Sequence, residues 1–186
     1  MKRQGVAFHV VLAFLGLLVA ANQVTASEAI KLKQKEAVLK AAFIFNFIKF
    51  TTWPEYKTDD GLIVMGVLDE DRPACRQIYL LNGRTVQGRG LLRVEILTTE
   101  MLPLHLQELS LIYLDDASTL SDDMLDLLIR HHVLIISGCR DSLEERAMIA
   151  LYVDRNRMRF DINRRLAEMA GIHFSSKLLN LAGRVF

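Results

Sequence analysis

The amino-acid sequence predicts an α/β fold, a single domain with a mixed, largely parallel sheet covered by helices on both faces. Two observations carry this prediction. Continuous apolar runs alternate with segments of helical periodicity, which is typical of parallel strands buried on both faces. The 186 residues are 51% hydrophobic and 24% charged, which suits one globular domain and excludes a disordered chain. The predicted strands are Leu62–Leu68, Leu91–Leu97, Leu109–Leu114 and Val133–Ser137.

Helices are predicted before, between and after these strands. The first runs over Glu28–Phe50 and is stopped by Trp53-Pro54. Its second half, Ala41–Ile48, is apolar almost all round, so it needs cover on more than one face. A core helix and a helix also used for dimerisation or partner docking are the two interpretations. The other predicted helices are Cys75–Leu81, Leu120–Arg130, Arg164–Ala170 and Ser175–Gly183.

The last two strands are predicted to form a hairpin. Met148–Asp154 and Met158–Asn163 are apolar or alternating segments, and Arg155-Asn156-Arg157 joins them as a short turn. We therefore expect antiparallel strands to be added to an otherwise parallel sheet.

The first 26 residues have the layout of an export signal. Two basic residues precede the apolar stretch Val6–Ala21, and Val24-Thr25-Ala26 supplies a small-residue cleavage site. A retained membrane anchor is the alternative, but the stretch is short of the about 20 apolar residues that a membrane span needs. We therefore expect a signal peptide at residues 1–26 and a mature domain at residues 27–186.

Charge and cysteine content exclude several functions. The 23 basic residues are balanced by 22 acidic ones, so the chain lacks the basic field that drives non-specific nucleic-acid binding. The spacing of Cys75 and Cys139, the two cysteines, matches neither a C-x-x-C redox motif nor a zinc site. In an oxidising compartment these thiols can pair, provided that their Cα atoms lie within about 7 Å. Whether they do is left open.

Groups that resemble catalytic or metal sites have plainer interpretations. Asp115-Asp116 and Asp122-Asp123 can supply oxygen ligands to a divalent cation. However, acidic residues that follow Ser121 also suit the amino terminus of a helix, which Ser121 can cap. We favour this capping interpretation. Ser175-Ser176-Lys177 lacks the S-x-x-K spacing of a nucleophilic serine pair. We assemble no nucleophile, base and oxyanion site, and we predict no catalytic residue, metal or cofactor.

Three segments resemble the signatures of a known family. Lys40–Phe50 (KAAFIFNFIKF) with Trp53-Pro54 looks like the amino-terminal signature of the YfiR family of periplasmic proteins. Met158–Asn163 and Ala170–Ala182 resemble its carboxy-terminal signature, and Asn82–Arg89 is similar to the turn that precedes one of its strands. The resemblance spans essentially the whole predicted mature chain.

The resemblance implies a function. It implies a non-catalytic periplasmic repressor that binds the sensory domain of an inner-membrane diguanylate cyclase and keeps cyclic di-GMP and biofilm formation low. It also implies a homodimer, and release of the repressor by an outer-membrane lipoprotein of the YfiB type or by a redox or envelope signal. Related proteins can carry two disulfides, but this chain lacks the partner cysteines at the start of Leu109–Leu114 and near Arg146, so each pair has lost one member.

Members of the two signatures are the candidate contacts for a partner or a second copy. The competing interpretation is that the aromatic residues lie in the core and the polar ones stabilise the fold. Strand alternation predicts that Arg159 faces away from Met158 and Phe160. A periplasmic small-ligand sensor or carrier, and an undetected hydrolase, are the alternative functions. The candidate contact residues are Phe43, Phe47, Phe50, Trp53, Arg159, Asn163, Ser175 and Lys177.

Overall fold

A computed structural model describes residues 28–54, 57, 61–68 and 72–186. The predicted signal peptide lies outside these described residues. Residues 36–186 form one compact unit that contains every strand, and residues 28–35, the described part of the other unit, are helical. Within the described ranges, we find no helix whose length and apolar character would allow it to span a membrane.

The described elements alternate between strands and helices. The helices are α1 (residues 28–50), α2 (Pro73–Tyr79), α3 (Leu102–His105), α4 (Asp122–Arg130), α5 (Arg164–Met169) and α6 (Ser176–Leu181). The strands are β1 (Thr51–Thr52), β2 (Leu62–Leu68), β3 (Thr85–Val86), β4 (Gly90–Leu97), β5 (Leu109–Leu114), β6 (Leu134–Ser137), β7 (Ile149–Asp154), β8 (Arg157–Ile162) and β9 (His173–Phe174).

The central sheet has seven strands in the order β3-β4-β2-β5-β6-β7-β8. The five strands from β4 to β7 in this order are parallel, whereas β3 and β8 run antiparallel at the two edges. β1 and β9 form a separate two-stranded antiparallel sheet. The predicted α/β class, with a mixed and largely parallel sheet, is confirmed.

The order of the strands creates a reversal in the middle of the sheet. The chain moves from β2 outward to β4 on one side, then returns across β2 to β5 and continues to β6 and β7 on the other side. The crevice at the carboxyl ends of β2 and β5 is therefore the topological switch point, where open α/β sheets usually bind ligands.

The central strands are buried on both faces, as their continuous apolar sequences require. All six residues of β5 and all four of β6 are buried. On one face, Phe43 and Phe47 of α1 pack on Phe160 of β8, with ring centroids 6.1 and 4.9 Å apart. These edge and tilted ring contacts anchor α1 to the sheet.

One buried bulge interrupts the pairing of β2 with β5. Leu109 pairs with Val64 and Leu111 with Met65, so Ser110 is the extra residue. Its hydroxyl accepts a hydrogen bond from the Val64 amide at 3.3 Å. The Ser110 hydroxyl thus gives the Val64 amide a hydrogen-bond acceptor at the point where the backbone ladder is interrupted.

The predicted hairpin forms, but Arg157, predicted as part of the turn, is the first residue of β8. Arg155 and Asn156 join β7 to β8, and both have left-handed backbone angles, with φ of 47° and 62°. Two consecutive left-handed residues are the signature of a type I′ turn, whose twist matches that of the flanking strands.

α1 spans the predicted residues 28–50, and it ends before Trp53 because Thr51 and Thr52 leave the helix to pair with Phe174 and His173. Other predicted elements differ from the observed ones by one or two residues at their ends, as in α2, which was predicted over Cys75–Leu81. The turn predicted at Asn82–Arg89 contains β3, which pairs with the start of β4.

The carboxy-terminal residues 183–186 run along the outer edge of β8. The Gly183 amide donates to the Phe160 carbonyl at 2.8 Å, and the Ile162 amide donates to the Arg184 carbonyl at 2.9 Å. The Phe186 amide in turn donates to the Ile162 carbonyl at 3.0 Å. This segment therefore continues the hydrogen bonding of the sheet beyond its last strand.

Candidate functional site

The aromatic residues of the amino-terminal signature lie in or against the core. Phe47 is 1% exposed and Trp53 is 5% exposed, whereas Phe43 and Phe50 are half-buried and pack against the core. The indole nitrogen of Trp53 donates to the carbonyl of Ser110 at 2.8 Å. Phe47 and Trp53 therefore stabilise the fold, and a partner that docks on the folded domain can reach only Phe43 and Phe50 among these four candidates.

Two polar candidates of the carboxy-terminal signature are helix caps. Asn163 is buried, and its Oδ1 accepts a hydrogen bond from the Leu166 amide at 2.9 Å at the start of α5. Its Nδ2 donates to the carbonyls of Leu143 and Glu144. Ser175 caps α6 through the Leu178 amide. The local role of these two residues is to satisfy backbone groups at helix ends.

The other two polar candidates are exposed. Arg159 stands on the face of β8 opposite to Phe160, as predicted, and its Nε lies 3.3 Å from Asp154 Oδ2. Lys177 is exposed in the first turn of α6. Of the four polar candidates, Arg159 and Lys177 are thus the two that a partner can reach.

Cys75 and Cys139 are not bonded to each other in this structure. Cys75 lies on α2, is 2% exposed, and its Sγ donates to the Leu68 carbonyl at 3.0 Å. Cys139 follows β6 and is partly exposed.

The structure buries one carboxylate that the sequence analysis did not single out. Asp161 of β8 is fully buried, and its Oδ2 accepts hydrogen bonds from Nε of Arg140 at 3.2 Å and Nε of Arg184 at 3.0 Å. Its Oδ1 accepts from the Tyr152 hydroxyl at 2.9 Å. Burial alone would raise the pKa of Asp161, but the hydrogen bonds from Arg184, Tyr152 and Arg140 outweigh it and lower the pKa.

A cavity of about 560 Å³ opens at the switch point, beyond the carboxyl ends of β4, β2 and β5. Four apolar side chains from these strands line it, namely Leu68, Ile96, Leu97 and Leu114. The hydroxyl side chains of Thr98, Thr99 and Thr119 also line it. We refer to this space as the switch-point cavity.

The charged lining of the switch-point cavity consists of Arg72, Glu100, Asp115 and Asp116. Asp115 Oδ1 accepts a hydrogen bond from the buried Tyr113 hydroxyl at 2.7 Å, and Asp115 Oδ2 lies 3.6 Å from Arg72 Nε. Burial and the neighbouring Asp115 carboxylate raise the pKa of Tyr113 far above its usual value, so the phenol keeps its proton and donates.

Two side chains near this cavity cap backbone groups, Asp116 and Ser121, of which the Ser121 cap was predicted. Asp116 Oδ1 accepts from the Ser118 amide at 2.9 Å and the Ser142 hydroxyl at 2.7 Å, which lowers the pKa of Asp116. Ser121 caps α4 by accepting from the Met124 amide at 3.2 Å. Within the part of the chain that the structure describes, no group of three or more His, Cys, Asp or Glu side chains is arranged to hold a metal ion.

Comparison with protein families shows to which family this chain belongs. A YfiR/HmsC-like family model matches residues 37–183, which is most of the chain. The chain belongs to the YfiR/HmsC-like family. Proteins of this family are periplasmic and regulatory rather than catalytic.

Comparison with other proteins adds little to this YfiR/HmsC-like assignment. No curated protein matches the chain significantly. A domain from Streptococcus pneumoniae, described as an ABC domain in complex with L-Trp, matches at 12% identity and a TM-score of 0.45, over 71% of this chain and 59% of its own. A conserved domain protein from Vibrio cholerae matches at 12% identity and a TM-score of 0.41, over 66% of this chain and 54% of its own. At these scores neither similarity carries a functional argument.

The YfiR/HmsC-like match covers the structural features described above. Residues 37–183 include the aromatic half of α1, the whole central sheet, the switch-point cavity and the buried Asp161. Arg184, one of the two guanidinium partners of Asp161, lies immediately beyond the matched segment.

Proposed function

We propose that this protein is a periplasmic repressor that binds the sensory domain of an inner-membrane diguanylate cyclase and lowers cyclic di-GMP and biofilm formation. The observation that carries the proposal is the YfiR/HmsC-like match over residues 37–183. The basic and apolar start of the sequence supports delivery to the periplasm by a cleaved signal peptide at residues 1–26.

Repression by binding has a quantitative requirement. A ligand shifts a two-state equilibrium only through its differential affinity for the two states. To hold 99% of a cyclase in an inactive state that is populated at 1% without the repressor, that state must bind about 10⁴-fold more tightly than the active one. Removing the repressor then releases the activity, so deletion should raise cyclic di-GMP.

The exposed signature residues are suited to this contact. Arginine and aromatic side chains are enriched in the centres of protein interfaces. Arg159 and Lys177 offer exposed cations, and Phe43 and Phe50 keep part of their surface exposed. We propose that these residues contact the cyclase or a second copy in a homodimer, and that an outer-membrane lipoprotein of the YfiB type releases the cyclase by competing for the repressor.

A deletion strain tests the proposal. Cyclic di-GMP should rise on deletion and return to its original level on complementation with the unaltered gene. Complementation with Arg159→Ala plus Lys177→Ala should leave cyclic di-GMP high, because both side chains are exposed and their loss should not unfold the domain. Arg130→Ala, at the exposed end of α4, is the matched control and should restore repression. An unchanged or lower level in the deletion strain, with the cyclase present, contradicts the proposal.

A second candidate function is a periplasmic small-ligand sensor or carrier. The switch-point cavity favours it, because its about 560 Å³ falls within the usual range of ligand sites and its lining combines apolar walls with a few polar groups. Saturable binding of a small ligand by the purified protein, together with no effect of deletion on cyclic di-GMP, would favour this function over repression.

A further inference from the structure

The switch-point cavity has three properties that together define a ligand class. The first is its place in the fold, at the carboxyl ends of β2 and β5 where the chain reverses direction. Ligands of open α/β sheets bind in this crevice because the loops that leave adjacent strands diverge there and leave a gap.

The second property is an excess of negative charge, in which two of the carboxylates are held by hydrogen bonds. The described lining holds three carboxylates, Glu100, Asp115 and Asp116, against one guanidinium, Arg72. The backbone and Ser142 fix Asp116, and the Tyr113 hydroxyl fixes Asp115. Hydrogen bonding also lowers the pKa of Asp116, so this carboxylate is ionised at neutral pH.

Held carboxylates are preorganised to receive a cation. Asp116 uses Oδ1 for both of its hydrogen bonds, to the Ser118 amide and the Ser142 hydroxyl, which leaves Oδ2 as a further acceptor site. These contacts already fix the Asp116 side chain. Binding of a cation therefore costs little further side-chain entropy.

The third property is the apolar part of the lining. Leu68, Leu97 and Leu114 are buried strand residues that line the cavity beside these carboxylates. A hydrated inorganic ion gains no free energy from contact with these apolar residues. A ligand with a carbon skeleton does, because it removes their apolar surface from water. Among the described residues, no group of three or more His, Cys, Asp or Glu side chains is arranged to hold a metal ion.

From these properties we propose that the switch-point cavity binds a small organic cation of the aliphatic diamine or polyamine class. The ammonium groups bind the carboxylates of Asp116 and Glu100, and the methylene chain packs on Leu68, Leu97 and Leu114. The hydroxyl oxygens of Thr98, Thr99 and Thr119 accept hydrogen bonds from the ammonium groups that remain.

Calorimetric titration of the protein, purified from the exported fraction of cells that express the full chain, tests the proposal. The probes are putrescine and spermidine, with magnesium chloride as a control for a cation without an apolar chain and sodium hexanoate as a control for an apolar chain without positive charge. We expect saturable binding of spermidine at physiological ionic strength and no saturable binding of either control. Equal binding of magnesium, or binding of hexanoate instead of the amines, would overturn the proposal.

Three variants locate the site. Glu100→Gln and Asp116→Asn should each weaken spermidine binding by at least about tenfold, because each removes a charged hydrogen-bond partner. Thr99→Trp should abolish binding by filling the cavity from an exposed position without altering the core. Glu145→Gln, at an exposed carboxylate outside the cavity lining, is the matched control and should bind as the unaltered protein does.

Unchanged binding by Thr99→Trp would place the amine elsewhere and overturn the proposal. Melting temperatures of all four variants show whether each remains folded, which matters most for Asp116→Asn because Asp116 also caps a turn. The titration requires no cyclase, so its failure would leave the proposed repressor function untouched, and failure of the repressor function would leave the amine site untouched.

Discussion

The indole N–H of Trp53 donates a 2.8 Å hydrogen bond to the carbonyl of Ser110, the residue at which β5 bulges against β2. This contact links the segment that follows α1 to an interior strand 57 positions along the chain. The signature Trp53-Pro54 is therefore a structural device, in which one aromatic side chain both fills the core and satisfies a buried backbone group.

Trp53→Phe should lower the free energy of unfolding by about 1–3 kcal/mol, because the ring remains while the Ser110 carbonyl loses a buried donor. Tyr79→Phe removes a polar group from an aromatic side chain that is exposed, so it should change stability by less than about 0.5 kcal/mol. Urea unfolding followed by circular dichroism measures both. Equal stability of the Trp53→Phe variant and the unaltered protein would show that the bond contributes nothing.

Asp161→Asn should destabilise the domain by about 2 kcal/mol, since hydrogen bonds to a charged group are worth about 1.5–3 kcal/mol each and the amide keeps only part of them. Asp161 is fully buried beneath Arg140 and Arg184. Asp154→Asn removes the exposed partner of Arg159 and should cost less than about 1 kcal/mol. Urea midpoints that fall equally in the two variants would contradict this assignment.

The stability that Asp161 supplies should depend on pH in a defined direction. Its pKa is lowered in the folded protein, so the unfolded chain takes up this proton at a higher pH than the folded chain does. The contribution is therefore complete above the ordinary carboxyl pKa of about 3.9 and is lost as pH falls through the lower folded value. Urea midpoints of the unaltered protein and Asp161→Asn should differ constantly between about pH 5 and 7 and converge below about pH 4. A gap that widens on acidification would show the opposite sign.

The two thiols should react with a thiol reagent at different rates. Cys139 is partly exposed and should be modified in the folded protein, whereas Cys75 is 2% exposed and should be modified only after unfolding. The reaction is followed by absorbance with 5,5′-dithiobis(2-nitrobenzoic acid), without reductant, before and after adding urea. Cys139→Ser should remove the rapid phase. Absence of both phases in the denatured protein would reveal a disulfide.

Sequence patterns predicted those elements whose burial is uniform. β2 and β5 match the predicted strands residue for residue, because short apolar runs between turn residues are typical of strands that are covered on both faces. The hairpin was predicted for a different reason, since its turn depends on local backbone preference, although the observed turn is Arg155-Asn156 and not the predicted Arg155-Asn156-Arg157. The strands and the turn could both be predicted from their local sequence, without information from distant parts of the chain.

The parts that escaped prediction depend on distant contacts. Alternation along β8 places Asp161 opposite Phe160 and Ile162, which on sequence alone indicates an exposed carboxylate. It is buried because Arg140 and Arg184 come to lie over it from other parts of the chain. The switch-point cavity was likewise beyond sequence analysis, because it is lined by residues from several loops that meet only after the strand order is fixed.

The hydrogen bonds between residues 183–186 and β8 bear on how this domain can recognise other chains. Unpaired strand edges are the usual route by which one polypeptide adds a strand to the sheet of another. Here the Phe160 carbonyl and both backbone groups of Ile162 are already taken by the chain's own last residues. A strand from another chain would have to displace residues 183–186 before it could pair with β8 at Phe160 and Ile162. Recognition of a partner at that position must therefore depend on side chains. A single side-chain substitution there can change which partner binds without breaking the hydrogen bonds of the sheet.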